Sequence, residues 1–536
     1  MNHIELFAGC GGLSLGMKAA GFHLTLANEV SPMAAETFTY NLLKEDLASK
    51  NISRAFWIKS KYKKNDPLRL REDYRNIAKL SGNEIFSDMP NSRSFKNLKG
   101  SLLIGDIQDL NAEITNSPAL RREIASSFGD GRVDLVSGGP PCQSFSMAGL
   151  RKHRSEKNQL SWAFAKFCSQ IKPRMVLLEN VTGILRAFKI NGKPHYAWFE
   201  VAKAFASKNC GYVPICLHVN AKFVGTAQNR PRFIMLCFEV PLAKKVLSSG
   251  KLGENGKKIF LNSLEFMTKI QMNKECTYDP NFYYDLNKKH PLFDEWPFNL
   301  LKETPFKNQK TESTVEDAIG DIKDVISLTP SSDYVKEINN FSKFLNSLST
   351  YTKGIPVNHE LRANNSRVKA RFRLYQVMSK IQNKCIISNL KSFLKDHELN
   401  KLSDETFKYL KSIMFLTDMG KQCLFKTKKD LEHFLISVRT KKQTQKALLA
   451  DAPAPAALSI PDDACHYDEG QLRTLTVREM ARFQSFPDKF EFRSKVTTGG
   501  KMRQFEVPQY TQVGNAVPPL LAKALGGVCK EFLQIK

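Results

Sequence analysis

The sequence predicts an α/β protein built on an open, mostly parallel sheet with a smaller irregular lobe, and three observations predict it. Over the first 240 residues, short apolar runs alternate with segments of helical periodicity, as in successive βαβ units. Each run stops in glycines or an acid, at the strand ends where such sheets hold ligands. From about 241 to 470 the alternation is lost and lysine becomes frequent, before regularity returns over 471–536. The expected organisation is a first domain over 1–240 with a basic insertion at about 50–99, a second lobe over 241–470, and a final segment over 471–536.

Ile4 to Phe7 reads as a buried strand. A glycine-rich turn, Ala8-Gly9-Cys10-Gly11-Gly12, then precedes a helix through Met17–Ala20, stopped by Gly21. Such a turn lets a ligand approach the backbone, although Ser14 stands where a dinucleotide fingerprint has its third glycine. The second strand, Leu24 to Ala27, ends in Asn28-Glu29. Glu29 lies twenty residues after Gly9, where an acid can bind ribose hydroxyls. A helix over about Ser31–Leu43 follows, and the third strand, Leu102 to Ile104, ends in Gly105-Asp106-Ile107. Between these units the basic stretch, with Lys59, Lys61, Lys63, Lys64, Arg69, Arg71 and Arg75, reads as a solvated surface insertion.

The run from Val133 to Val136 ends in Ser137-Gly138-Gly139-Pro140-Pro141, so the chain leaves the sheet just before Cys142. A lone cysteine is more often a small buried hydrophobe than a nucleophile, so Cys142 draws its weight from its neighbours. After a basic loop over 151–158, Leu160, Phe164, Phe167 and Ile171 mark a helix, and the strand Met175–Leu178 ends in Glu179-Asn180-Val181. Adjacent strands lie about 5 Å apart, so the thiol of Cys142 and the carboxylate of Glu179 can serve one substrate. Val213–Val219 and Phe233–Phe238 complete the strands. Between them Gln228, Arg230 and Arg232 alternate, so that all three can face one ligand. Ala450–Ala457 reads as a connector. Thr476-x-x-Glu479 is a capping box for a helix over Val477–Ser485, and Gly514-Asn515-Ala516-Val517-Pro518-Pro519 leads into a terminal helix.

Eighty Lys+Arg against fifty-three Asp+Glu give a net charge of +27, the excess expected where the partner is a polyanion. Eleven cysteines without a Cys-x-x-Cys point to neither a disulfide framework nor a zinc site, so no metal is expected. No apolar run approaches the roughly 18 residues of a membrane span, and the first residues show no signal-like core. The expectation is a cytoplasmic protein with no membrane partner.

These residues resemble the DNA (cytosine-5) methyltransferases of bacterial restriction–modification systems over about 1–47, 101–240 and 471–536. Phe7-Ala8-Gly9-Cys10-Gly11-Gly12 is similar to the family's cofactor loop, and Pro140-Pro141-Cys142-Gln143-Ser144-Phe145-Ser146 to its nucleophile motif. Glu179-Asn180-Val181, Gln228-x-Arg230-x-Arg232, the Thr476–Glu479 block and Gly514-Asn515-Ala516-Val517 are similar to further blocks, in the family's order. Glu5, Val30, Val224 and Ala227 replace the family's usual aspartate, aromatic, tyrosine and proline, and none removes a group the chemistry needs.

The resemblance implies a seven-stranded, Rossmann-like sheet dependent on S-adenosyl-L-methionine (AdoMet), with 241–470 as target-recognition lobe and 471–536 returning to the catalytic domain. It implies methyl transfer to carbon 5 of a flipped-out cytosine within a specific double-stranded DNA sequence. Cys142 would add to C6, Glu179 would protonate N3, Arg232 would hold O2, Asn180 would orient the base, and Arg230 would favour the thiolate. For Glu179 to donate, burial against the base must keep its proton or let it be shared with N3. Phe7, Ala8, Gly9, Cys10, Gly12, Asn28, Glu29, Asp106, Ile107, Gly139, Pro141, Asn515 and Ala516 would line the cofactor site. Gln143, Ser144, Ser146 and Gln228 would meet the DNA.

Two further patterns, Asn358-His359-Glu360-Leu361-Arg362 and Ile460-Pro461-Asp462-Asp463, are similar to segments of recognition lobes. A nucleoid-associated monomer is expected, with room for a cognate restriction endonuclease acting on the same site without stable binding. Three rivals are weaker, and against one of them, a degenerate methylase that only binds DNA, stand the complete Cys142, Glu179 and Arg232. A Rossmann dehydrogenase has no use for Pro-Cys-Gln, and the tRNA-methylating branch usually has a short recognition region, against about 230 residues between the blocks here.

Overall fold

Five buried residues, Asn2–Leu6, form β1 at the middle of a nine-stranded sheet. The computed structural model describes all residues except 50–51, 74–84, 142–159, 191–192, 275–281, 307–311, 324–329, 352–353, 441–444 and 457. On one side of β1 lie β2 (His23–Glu29), β4 (Ser101–Ile104) and the edge strand β3 (Ala55–Trp57). On the other lie β5 (Leu135–Gly138), β6 (Met175–Val181), β8 (Pro231–Glu239), β7 (Tyr212–Asn220) and the edge strand β9 (Tyr283–Asp285). Only β8 is antiparallel to its neighbours. The expected seven-stranded sheet is present, with a three-residue strand added at each edge. β1, β4 and β5 are buried throughout, as a sheet covered on both faces requires.

The chain runs outward from β1 to β2 and crosses back from β4 to β5. Right-handed crossovers therefore put α1 (Gly12–Ala19) and α2 (Pro32–Phe38) on one face, and α3 (Ile107–Asn116) and α4 (Leu160–Ile171) on the other. α1 begins inside the stretch expected to be a turn, because Gly11, at φ +97°, already serves as its N-cap. The basic insertion is not merely solvated. It supplies β3, and Arg69, 3% exposed, meets Asp88 at 2.6 Å and lies 5.0 Å over the Trp57 ring.

The lobe boundary expected near 240 falls elsewhere. Helices Val240–Ser248 and Glu254–Gln271 and strand β9 join the main core, where Phe260 and Phe298 surround Phe532. The strand alternation stops at β8, but the burial of the sheet does not. A separate core occupies only Ala370–Val438, made by α5 (Ser366–Lys380) and helices Lys384–Lys395, Asp404–Leu410 and Lys428–Val438. The connector is paired rather than loose: Ala454–Pro455 lies parallel to Gln228–Asn229, and Lys446–Ala447 pairs with Ala464–Cys465.

The capping box forms as read, opening α6 (Val477–Phe483). Burial alone would raise the Glu479 carboxyl, but the two-pronged contact of Arg473, at 2.7 and 2.9 Å, holds it down at about 2. Asn358-His359 does not belong to the separate lobe. The Asn358 amide exchanges bonds with the Phe492 backbone at 2.8 and 2.9 Å, and His359 meets Thr476 Oγ1 at 2.9 Å. Asp463 likewise closes its own turn on the Ser459 and Ile460 amides. After α7 (Gln509–Asn515), α8 (Pro519–Leu533) lies directly on α1. A Cβ on Gly16 would fall 2.3 Å from the Ala522 Cβ, so this seam admits no side chain.

Candidate active site at the carboxyl ends of the strands

The strand tips divide into two neighbouring groups. After β1 the chain turns sharply: Phe7, not a glycine, adopts φ +55°, and Gly9 does the same. A non-glycine residue in that region carries strain that its surroundings must hold in place. A Cβ on Gly9 would meet nothing within 4 Å, so the backbone faces open space there. The Glu29 carboxylate at the tip of β2 takes the Gly9 and Ser31 amides, each at 2.8 Å. Burial pushes that carboxyl upward, against the pull of these amides. Asp106, at the tip of β4, caps α3 through the Gln108 amide at 2.7 Å. Asn515 is exposed at the end of α7, with Ala516 beside it.

Three expected cofactor residues, Asn28, Cys10 and Ile107, have their side chains committed elsewhere, and at Gly12 the C-terminal segment closes in, so these four offer a ligand no side chain. Asn28 donates to the Leu103 and Gly105 carbonyls, both at 3.0 Å, tying β2 to β4. Cys10 is buried with its Sγ 3.8 Å from the Gln512 carbonyl, and burial pushes its thiol up to about 12. A Cβ on Gly12 would lie 2.4 Å from the Val517 carbonyl, so this glycine admits the C-terminal segment. Ile107 is 2% exposed and packs in the core.

The second group lies on β5, β6 and β8. Gly138 pairs with Leu178, so the next residue of each strand stands side by side. A Cβ on Gly139 would come 2.8 Å from Glu179 Oε2, which is why the carboxylate can sit there. Asn180 donates to the Pro140 carbonyl at 3.1 Å. From β8, Arg232 Nε meets Glu179 Oε1 at 2.7 Å, both side chains about nine-tenths buried. Pro141 is exposed at the end of this turn. Cys142, Gln143, Ser144 and Ser146 lie outside the described residues.

Gln228 and Arg230 do not face the Glu179 pocket with Arg232, contrary to the alternation reading. Gln228 is fully buried and donates to the Pro455 carbonyl at 2.9 Å. Arg230 donates to the carbonyls of Gly514 and Ala516, both at 2.8 Å. The alternation assumed one extended segment, whereas Gln228–Asn229 pairs with the connector and only Pro231–Glu239 joins the sheet. Nothing in an Ala-Pro-rich stretch signals such pairing.

Against known proteins, the sequence profile of the C-5 cytosine-specific DNA methylase family matches residues 1–67 and 92–531. The chain belongs to this family. As a C-5 cytosine-specific DNA methylase it is a DNA (cytosine-5) methyltransferase. It is 24% identical over 534 residues to the type II methyltransferase M.DdeI of Desulfomicrobium norvegicum, covering 98% of this chain and 87% of that one. It is 24% identical over 547 residues to M.Bpa9945I of Bacillus paralicheniformis (99% and 98%), and 23% over 545 residues to M.AgeI of Thalassovita gelatinovora (99% and 99%). The methylase profile skips residues 68–91, inside the basic insertion.

In this methyltransferase a cleft of about 950 Å³ lies between the separate lobe and the connector. Arg371, Lys391, Lys395, Arg439 and Lys446 line it, with Asn229 at its edge. Among the described residues no helix is long and apolar enough to cross a membrane, and no group of three or more His, Cys, Asp or Glu side chains could hold a metal.

Proposed function

We propose that the enzyme transfers a methyl group from AdoMet to carbon 5 of a cytosine turned out of duplex DNA at a specific sequence, through a covalent Cys142–C6 adduct. The observation that carries this reading is the Glu179–Arg232 pair at 2.7 Å beside Gly139, three residues before Cys142 in the chain. A pyrimidine entering there meets a carboxyl group and a guanidinium on one edge.

Carbon 5 of cytosine is too weak a nucleophile until a thiolate adds at C6. The S–C6 bond forms as the 5,6 double bond opens, and the electrons move toward N3, which takes a proton from Glu179. Arg232, already fixed to Glu179, turns its remaining donors to the cytosine O2. Asn180 holds the Pro140 turn and with it the path of the chain to Cys142. After methyl transfer a solvent water takes the C5 proton, the 5,6 double bond re-forms as the S–C6 bond breaks and the thiolate is expelled, and N3 returns its proton to Glu179. The thiolate is the reactive form of the cysteine. Turning the base out costs a few kcal/mol, and holding the reacting atoms in line offsets about 7–11 kcal/mol of the barrier.

The open space at Gly9 and the pinned Glu29 fit the nucleoside of AdoMet, with Phe7, Ala8 and Asp106 at its adenine and Asn515 and Ala516 at its methionine end. When bound, AdoMet supplies a methyl group on a sulfonium. This chemistry calls on no metal. Duplex DNA would lie along the basic cleft, and +27 net charge supports that partner. A cytoplasmic, nucleoid-associated monomer is part of the same reading, as is an endonuclease that cuts the same site without binding this chain.

The test is Cys142→Ser with tritiated AdoMet and unmethylated DNA. Transfer is expected to fall by at least about a thousandfold, while AdoMet affinity measured by calorimetry stays within about twofold. Transfer at the wild-type rate would remove Cys142 from the mechanism.

A further inference from the structure

Arg230 is 1% exposed, and its donors go away from the Glu179 pocket. Nη2 donates to the Gly514 and Ala516 carbonyls at 2.8 Å each, and Nη1 to the Ala456 carbonyl at 3.4 Å. One guanidinium thus ties the stretch leading into β8 to two further segments, the connector and the 514–516 turn. Two residues on, Arg232 holds Glu179.

Each segment is tightly seated. The connector is stitched to the strand by Ala454 N to the Ala227 carbonyl and Gln228 Nε2 to the Pro455 carbonyl, both at 2.9 Å. Pro453 and Pro455 of the connector also line the basic cleft, together with Lys391, Lys395 and Lys446. In the turn, a Cβ on Gly514 would fall 2.5 Å from Ser459 Cβ, and the Val517 carbonyl occupies the place a Gly12 Cβ would need. A buried donor is costly to leave without an acceptor, so a displacement of the connector or of the turn has to be met at Arg230.

We infer that Arg230 is a positioning residue that couples occupation of the basic cleft by duplex DNA to the set of the 514–516 turn at the cofactor site. The inference rests on the proposed reading of that cleft and that turn. Coupling of this kind is reciprocal, so DNA tightens cofactor binding by the factor by which cofactor tightens DNA binding.

S-adenosyl-L-homocysteine titrated by calorimetry into the full chain, alone and saturated with unmethylated genomic DNA fragments, reads the coupling. The wild type is expected to bind at least about fivefold tighter with DNA present. Arg230→Lys keeps the charge but loses the planar fork. Its ratio is expected within about twofold of one, with the DNA-free affinity changed less than about threefold. A merely structural Arg230 would lower the melting temperature and leave the ratio at its wild-type value; that result, or a wild-type ratio of one, overturns the inference. Should Arg230→Lys not fold, hydrogen exchange of the wild type carries the test. DNA alone is expected to slow exchange over 512–517 at least about threefold, and unchanged exchange there overturns the coupling. Failure of the wild type to bind S-adenosyl-L-homocysteine at all overturns the proposed function, and this inference with it.

Discussion

The terminal helix α8 meets the sheet domain backbone to backbone, whereas the lobe over 370–438 meets it through long polar side chains. On the α1–α8 seam, Gly16 faces Ala522 and Gly526 faces Ala20, with no room for a Cβ on either glycine. On the lobe, Gln376 Nε2 reaches the His466 and Asp468 carbonyls at 3.0 and 2.8 Å, while Arg373 and Lys380 grip Glu469. Most hydrophobic residues of the lobe pack among themselves, and only a small apolar contact, Phe372 with Ala447 and Cys465, joins the described residues of the two sides. A seam made of missing side chains tolerates no change, but a tethered body with its own core can vary. The contrast suits the proposed function, in which a chemistry common to the family would be joined to a target sequence particular to this enzyme.

The sharpest way to break the comparison is Gly16→Val. Its new side chain would overlap Ala522 and the Pro519 carbonyl, and no folded protein is expected in a thermal melt. A cooperative melt near the wild-type temperature would show the seam to be loose. Next is Glu479→Gln, which leaves Arg473 buried without its charge partner and is expected to cost about 3–5 kcal/mol in denaturant unfolding. Leu390→Ala in the lobe core is expected to cost about 2–5 kcal/mol. That loss should appear as an earlier calorimetric transition of the lobe alone, with S-adenosyl-L-homocysteine affinity retained; one shared transition would mean the lobe is not an independent body.

The smallest effect is a pH slope on the sheet side. Burial lowers His466 to about 4 and His3 to about 3, so below pH 6.5 the unfolded chain takes up protons that the folded one refuses. Their stability contribution is complete above pH 6.5 and declines as pH falls toward those values, by about 1 kcal/mol per histidine between pH 6.5 and 5.5. His466→Asn is expected to lower the gain in unfolding free energy between pH 5.5 and 6.5 by about 1 kcal/mol, read from urea unfolding at the two pH values; an unaltered gain would mean His466 titrates as in the unfolded chain.

Periodicity and strand-end chemistry made the sheet, the strand-tip positions of Glu29 and Glu179 and the capping box legible in the sequence, because each depends on residues close in the chain. The lobe boundary was not legible, since helices that bury a sheet edge read locally like any other helices. The roles of Gly12, Asn28 and Arg230 were decided by Val517, Leu103 and Gly514, which are distant in sequence. Local pattern can say that a glycine or an arginine is present at a strand end. Only packing brings up the atom, hundreds of residues away in the cases of Gly12 and Arg230, whose position that glycine must clear or that arginine must satisfy.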